Sequence, residues 1–239
     1  MIVRFRYSKL GKIRWISHRD GARVWERALR RAGLPIAYTE GFSPRPKLSF
    51  GLALPTGYES CAEYLDVSLR PQQPIDVAAL PERLSSVLPS GMATQVGAVL
   101  EQPAQSLQQV VTSSSWRLHV SGLSRAMVEE RCTRLLAADH VPYQRERKGK
   151  IVSDDLRPCV LSLFVSGEAD GFVELAAELT TQPRAVKPTE LIAALGPDLQ
   201  ERPGCRTHQW IARDGARREP LEAPIEATAT APHAQVRAS

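Results

Sequence analysis

Apolar and polar residues alternate from the start of the chain. In IVRFRY, Val3, Phe5 and Tyr7 fall on one side and Ile2, Arg4 and Arg6 on the other, the two-residue period of a half-buried strand. KLGK then reads as a turn. At Ser17 the period becomes helical: Ser17 is a good N-cap with Asp20 three positions on, and Gly33 followed by Pro35 supplies the stop. The spacing predicts a helix from His18 to Ala32. At about 100° per residue, Arg19, Arg23, Arg27, Arg30 and Arg31 fall within an arc of roughly 120°, with Gly21, Val24, Trp25, Ala28, Leu29 and Ala32 opposite. One face is core and the other is basic.

Beyond this helix, KLSFGLALP and SCAEYLDVSLR are strand-like and joined by TGYE, IDVAALPERLSSVLP is a short helix made irregular by Pro81, and GMATQVGAVLEQ is a strand. QPAQSLQQVVTSSS has linker composition, after which the order restarts. WRLHVSG is a strand and SRAMVEERCTRLLAAD a helix capped by Ser124. YQRERKGKIVSDDLRPCVLSLFVSG and FVELAAELT form antiparallel strands, KPTELIAALG is a helix, and RTHQWIAR a last strand. This order predicts an α+β protein of two tandem ferredoxin-like (split βαβ) domains with antiparallel sheets. The expected division is a basic domain over 1–102, a linker over 103–112, a second domain over 113–213 and a disordered tail over 214–239. Val3, Phe5 and Tyr7 then pack under helices, and Arg4 and Arg6 lie on an open sheet face.

Charge sharpens the picture. Residues 1–60 hold twelve Lys and Arg against four Asp and Glu, a local net of +8 in a chain whose total is +5. A field concentrated in this way attracts phosphates locally. No apolar run approaches the ~20 residues of a membrane span, and the N-terminus lacks a signal-peptide pattern, so a soluble cytoplasmic protein is expected. Cys61, Cys132, Cys159 and Cys205 are far apart, and the five histidines form no ligand motif. Neither a metal nor a cofactor is expected.

The arginine face reads either as a solvated helix surface or as a phosphate-facing one, and the crowding of like charges favours the second. In YTEGFSPRPK the prolines either end strands or stiffen a clamp in which Tyr38 or Phe42 stacks a base while Arg45 and Lys47 take phosphates. Arg4, Arg6 and Arg14 extend the candidate phosphate contacts. His18 is either structural or a general base.

RFRYSKLGKIRWISHRD, ERALRRAGLPIAYTEGFSPRPKLSFG and LPTGYES, with RKGKIVSDDLRP and RTHQW more loosely, resemble the radical SAM-associated protein family, a domain of unknown function. The resemblance implies a partner, a cobalamin-binding radical SAM protein, and no catalytic residues. The chain itself has no C-x-x-x-C-x-x-C. Three functions follow as expectations. The first is a non-catalytic RNA-binding accessory protein acting with that partner. The others are a metal-independent ribonuclease or RNA-modifying enzyme using His18, and a protein-only adaptor for the partner.

Overall fold

The N-terminal alternation becomes β1 (Ile2–Lys9) in a computed structural model of the chain, which describes residues 1–100, 105–147, 149–213 and 216–221. A 3₁₀ turn (Gly11–Trp15) leads into α1 (His18–Arg31). Ser17 caps α1, its Oγ accepting the Asp20 N–H at 3.1 Å, and Gly33 at φ 62° ends it. There follow β2 (Leu48–Phe50), β3 (Glu59–Ser68), α2 (Leu80–Ser85), β4 (Met92–Val99) and α3 (Leu107–Val110). The second half contains β5 (Ser113–Ser121), α4 (Arg125–Ala137), β6 (Pro142–Arg147), β7 (Lys150–Asp155), β8 (Val160–Ala169), β9 (Phe172–Thr180), α5 (Pro188–Leu195), β10 (Gln200–Arg213) and β11 (Ala216–Arg218).

The protein is α+β, with one mixed nine-stranded sheet and a separate β6–β7 hairpin. Its main path is β4-β1-β3-β10-β5-β9-β8, with β2 on β3 and β11 on β10. Each half repeats one order, β4-β1-β3-β2 and β10-β5-β9-β8. The halves do not keep separate sheets. The three residues of β2 pair only with Leu65–Val67, and β10 joins β3 in parallel at Glu59 and Ser60. The backbone groups left open beside a short β2 are thereby satisfied by the other half.

Val3, Phe5 and Tyr7 pack under α1 and α2 with Trp25, Leu29, Leu65, Leu80 and Leu84, as the alternation predicts. A second core joins Leu118, Val120 and Leu175 of the sheet to Val128, Leu191 and Ile192 of α4 and α5. The opposite sheet face of the first half is covered, which corrects the expectation of an open one. Ala62 and Tyr64 on that face are packed by Leu107 and Val111, with Ile211 and Leu221 beside them. Two expected boundaries change accordingly. Within the expected linker, α3 plugs the sheet through Leu107, while 103–104 lie outside the described residues. Within the expected tail, β11 pairs with β10, Arg217 lies over the Trp210 ring at 4.1 Å and Leu221 packs inward; 214–215 and 222–239 lie outside the described residues. Among the described residues no helix is long and apolar enough to cross a membrane.

Candidate nucleic-acid interface

α1 sets the arginine face as its periodicity requires. Trp25, Ala28 and Leu29 are buried, and Arg19, Arg23, Arg27, Arg30 and Arg31 are all exposed. Arg23 meets Asp20 at 3.4 Å and Arg30 meets Glu26 at 3.7 Å, both weak surface pairs one turn apart. Arg19, Arg27 and Arg31 have no ion-pair partner among the described residues. Three guanidinium groups on one helix face are left to whatever anion approaches.

The YTEGFSPRPK segment is a short antiparallel arm. The Thr39 and Lys47 N–H groups donate to Arg45 O and Ala37 O, each at 2.8 Å, and the Arg45 N–H donates to Thr39 Oγ1 at 2.9 Å. Gly41, at φ 120°, turns the tip where a side chain would be strained. Beside it Phe42 is completely exposed, and Tyr38, Arg45 and Lys47 are exposed along the arm. An apolar ring held in water at the tip of a hydrogen-bonded arm, with cations behind it, suits stacking on a base.

Three of the candidate arginines lie elsewhere. Arg4 and Arg6 are buried, 6% and 9% exposed, on the sheet face that α3 and the C-terminal segment cover. Arg4 makes a two-pronged contact to Asp66, Nε to Oδ1 at 2.7 Å and Nη2 to Oδ2 at 2.8 Å. Arg6 Nη1 meets Glu219 Oε2 at 2.6 Å, and its Nε donates to Cys61 O at 3.2 Å. Their charges are neutralised inside the protein, so neither forms a basic surface. Arg14 is half-buried, 3.2 Å from Glu59 and against the Trp15 ring. In the second half, Asp154 meets Arg184 at 3.2 Å, and Asp155 accepts the Val141 and Arg157 N–H groups, so both are structural.

His18 has its ring edge-on to Phe50 at 5.1 Å and no hydrogen-bond partner among the described residues. A general base is oriented by a second group, and none is placed to do so among the described residues. His18 instead stands at the mouth of a small cavity, about 30 Å³, between the head of α1 and the sheet. Its floor contains residues that the candidate site did not include. Lys9, 9% exposed, donates to Ile16 O at 3.1 Å, and burial lowers its pKa. Glu63, 6% exposed, receives Arg206 through Nη2 at 2.5 Å and Nε at 3.1 Å, both on Oε1. Tyr7 is buried beside them, its hydroxyl pushed well above the ordinary value by desolvation. The signal for Lys9 and Glu63 was phase: Lys9 follows Val3, Phe5 and Tyr7 at the two-residue spacing, and Glu63 precedes Leu65 and Val67. A charged residue in the buried phase of a strand marks a polar pocket or an internal ion pair.

Among the described residues no group of three or more His, Cys, Asp or Glu is placed to hold a metal ion. No curated protein matches the chain. Residues 3–188, which span the arginine helix, the arm, the cavity and most of the second half, match the family described as "Uncharacterized protein conserved in bacteria (DUF2344)", and the chain belongs to that family.

Proposed function

We propose that this protein is a non-catalytic RNA-binding accessory protein that presents RNA to a cobalamin-binding radical SAM enzyme. The observation that carries the RNA reading is the face of α1, where Arg19, Arg27 and Arg31 are exposed with no carboxylate among the described residues to neutralise them. Guanidinium groups along one helix face match the phosphates of a nucleic-acid backbone, and the Phe42 arm adds a stacking platform that single-stranded RNA uses. The partner rests on the family resemblance of the N-terminal motifs. In this reading the two halves are fused split βαβ units, the first holding RNA and the second docking the enzyme. His18 has no orienting partner among the described residues, which favours the binding reading over the ribonuclease alternative.

The test is fluorescence anisotropy of a labelled single-stranded oligoribonucleotide against salt. Affinity is expected to fall linearly on logarithmic axes. Joint reversal of Arg19, Arg27 and Arg31 to Glu should weaken binding and flatten the slope by about 2, near 0.7 for each phosphate no longer neutralised. Unchanged affinity and slope in that variant would overturn the reading. In that case, capture of the radical SAM enzyme by the wild-type protein, abolished in the variant, assigns the stripe to the protein adaptor.

A further inference from the structure

A larger cavity, of about 340 Å³, lies at the other end of α1, where its C-terminus meets residues 71–75 and the head of α2. That volume falls within the range of small-ligand sites, roughly 300–1,000 Å³. The buried Leu34 and Leu80 line it, with Pro35, Pro71, Pro74 and Ile75. Prolines present rigid apolar surface and lose no rotamer freedom when a ring covers them. Among the described residues no Asp or Glu lines the cavity, and its one charged side chain is Arg83.

Gly33 explains how Arg83 is held. At φ 62° it ends α1, and without a side chain it lets the guanidinium come close: a Cβ there would lie 3.1 Å from Arg83 Nη2. The negative end of the helix dipole favours a cation at this position. The helix nevertheless leaves the donors unused. Leu29 O and Arg30 O already accept the Leu34 and Gly33 N–H groups, at 3.1 and 3.0 Å. Arg83 is exposed and makes no side-chain hydrogen bond or ion pair among the described residues, so its guanidinium is positioned but uncommitted. The exposed amides of Gln72 and Gln73 add donors and acceptors to the same lining. Arg31, the last residue of α1, comes two positions before Gly33, so the arginine face of the helix ends beside the cavity.

We propose that this cavity receives one nucleotide of the bound RNA, its base against the prolines and its phosphate on Arg83. The site deepens the RNA reading and rests on it: the arginine face of α1 holds the backbone, and the end of the same helix takes a nucleotide from it. Apolar walls free of carboxylates suit a planar ring, and a guanidinium fork suits a phosphate. The lining selects no single base, because an amide offers both a donor and an acceptor to any base edge.

The test reads the cavity with and without RNA. In NMR of methyl-labelled protein, the 5′-monophosphates of adenosine, cytidine, guanosine and uridine should each shift the methyl signals of Leu34, Ile75 and Leu80 saturably, and the unphosphorylated nucleosides should do so more weakly. Arg83→Gln should abolish the difference between the two sets, and Arg83→Lys, which keeps the charge, should restore part of it. The oligoribonucleotide should shift the same methyls. In the anisotropy assay Arg83→Gln should bind it about tenfold more weakly, as loss of one charge-assisted phosphate contact implies, with the salt slope reduced by about 0.7. If RNA binds through the arginine face but leaves these methyls unmoved, or if Arg83→Gln binds it as wild type does, the inference is overturned and the RNA reading stands. If the wild-type protein binds no RNA at any salt, the RNA reading fails, and Arg83-dependent shifts with the monophosphates then assign the cavity to a free nucleotide. No RNA binding and no shift with any monophosphate overturn both.

Discussion

Cys61 and Cys205 place their sulfurs 3.7 Å apart where β3 and β10 meet, though 144 residues separate them in the chain. The hydrogen bond from Cys205 stabilises the Cys61 thiolate and brings its pKa down to about 7, against the opposing effect of burial and with help from Arg117 and Arg6. The same interaction, with burial, pushes Cys205 upward. Cys132 is also pushed up, to about 11, by desolvation. Alkylation by iodoacetamide, followed by mass spectrometry across pH, should therefore modify Cys61 first, with a midpoint near 7, and leave Cys132 largely intact at pH 8. In Cys205→Ala the Cys61 midpoint should rise toward the ordinary thiol value of about 8.5. This pairing was not legible in the sequence, because it depends on which strand of the second half joins the first. Glu63 was legible, since strand phase alone puts it on the buried side, whereas Lys9, which in sequence reads as part of the KLGK turn, is instead the last residue of β1. Arg4 and Arg6 show the limit of phase: alternation assigns them a face, but their cover comes from Leu107, Val111 and Glu219, far along the chain.

At the scale of the element, α1 was the most legible part of the fold, because its cap, its stop and its two faces are all local. The β2–β3 pair was less so. TGYE reads as a tight turn, yet Leu48 pairs with Val67 and Phe50 with Leu65, so residues 51–58 and the start of β3 lie outside that ladder. Local turn chemistry cannot reveal a register set by a partner from the other half. The arginine face of α1 gives a prediction in which stability and binding move in opposite directions. Arg23, Arg27 and Arg31 follow one another at i,i+4, where like charges repel. Arg27→Glu replaces two repulsive neighbours with two attractive ones, at roughly 0.2–0.5 kcal/mol per pair. Urea denaturation should show the variant more stable by several tenths of a kcal/mol, while anisotropy shows it binding RNA more weakly.

For the molecule as a whole, the decisive feature is the seam between the halves. Few backbone pairs join β3 to β10, so side chains from both halves hold the junction. Arg206 of β10, 2% exposed, meets Glu63 and also donates to Leu52 O at 2.9 Å. Tyr58, beside β3, donates its hydroxyl to Glu201 of β10. Burial pushes the Glu201 carboxyl up to about 7, so near neutral pH the folded protein retains there a proton that the unfolded chain, at about 4.3, has released. The folded state then binds more protons than the unfolded state between these values, and the contribution of Glu201 to stability falls as pH rises from about 4.3 through 7, then levels off. Chemical denaturation in buffers across that window should show stability declining with pH in the wild type relative to Glu201→Gln, whose amide has no proton to lose. Because Glu201 belongs to one half and Tyr58 to the other, the two halves should unfold together, and tryptophan fluorescence, reporting Trp25 in the first core and Trp116 in the second, should follow one transition at every pH.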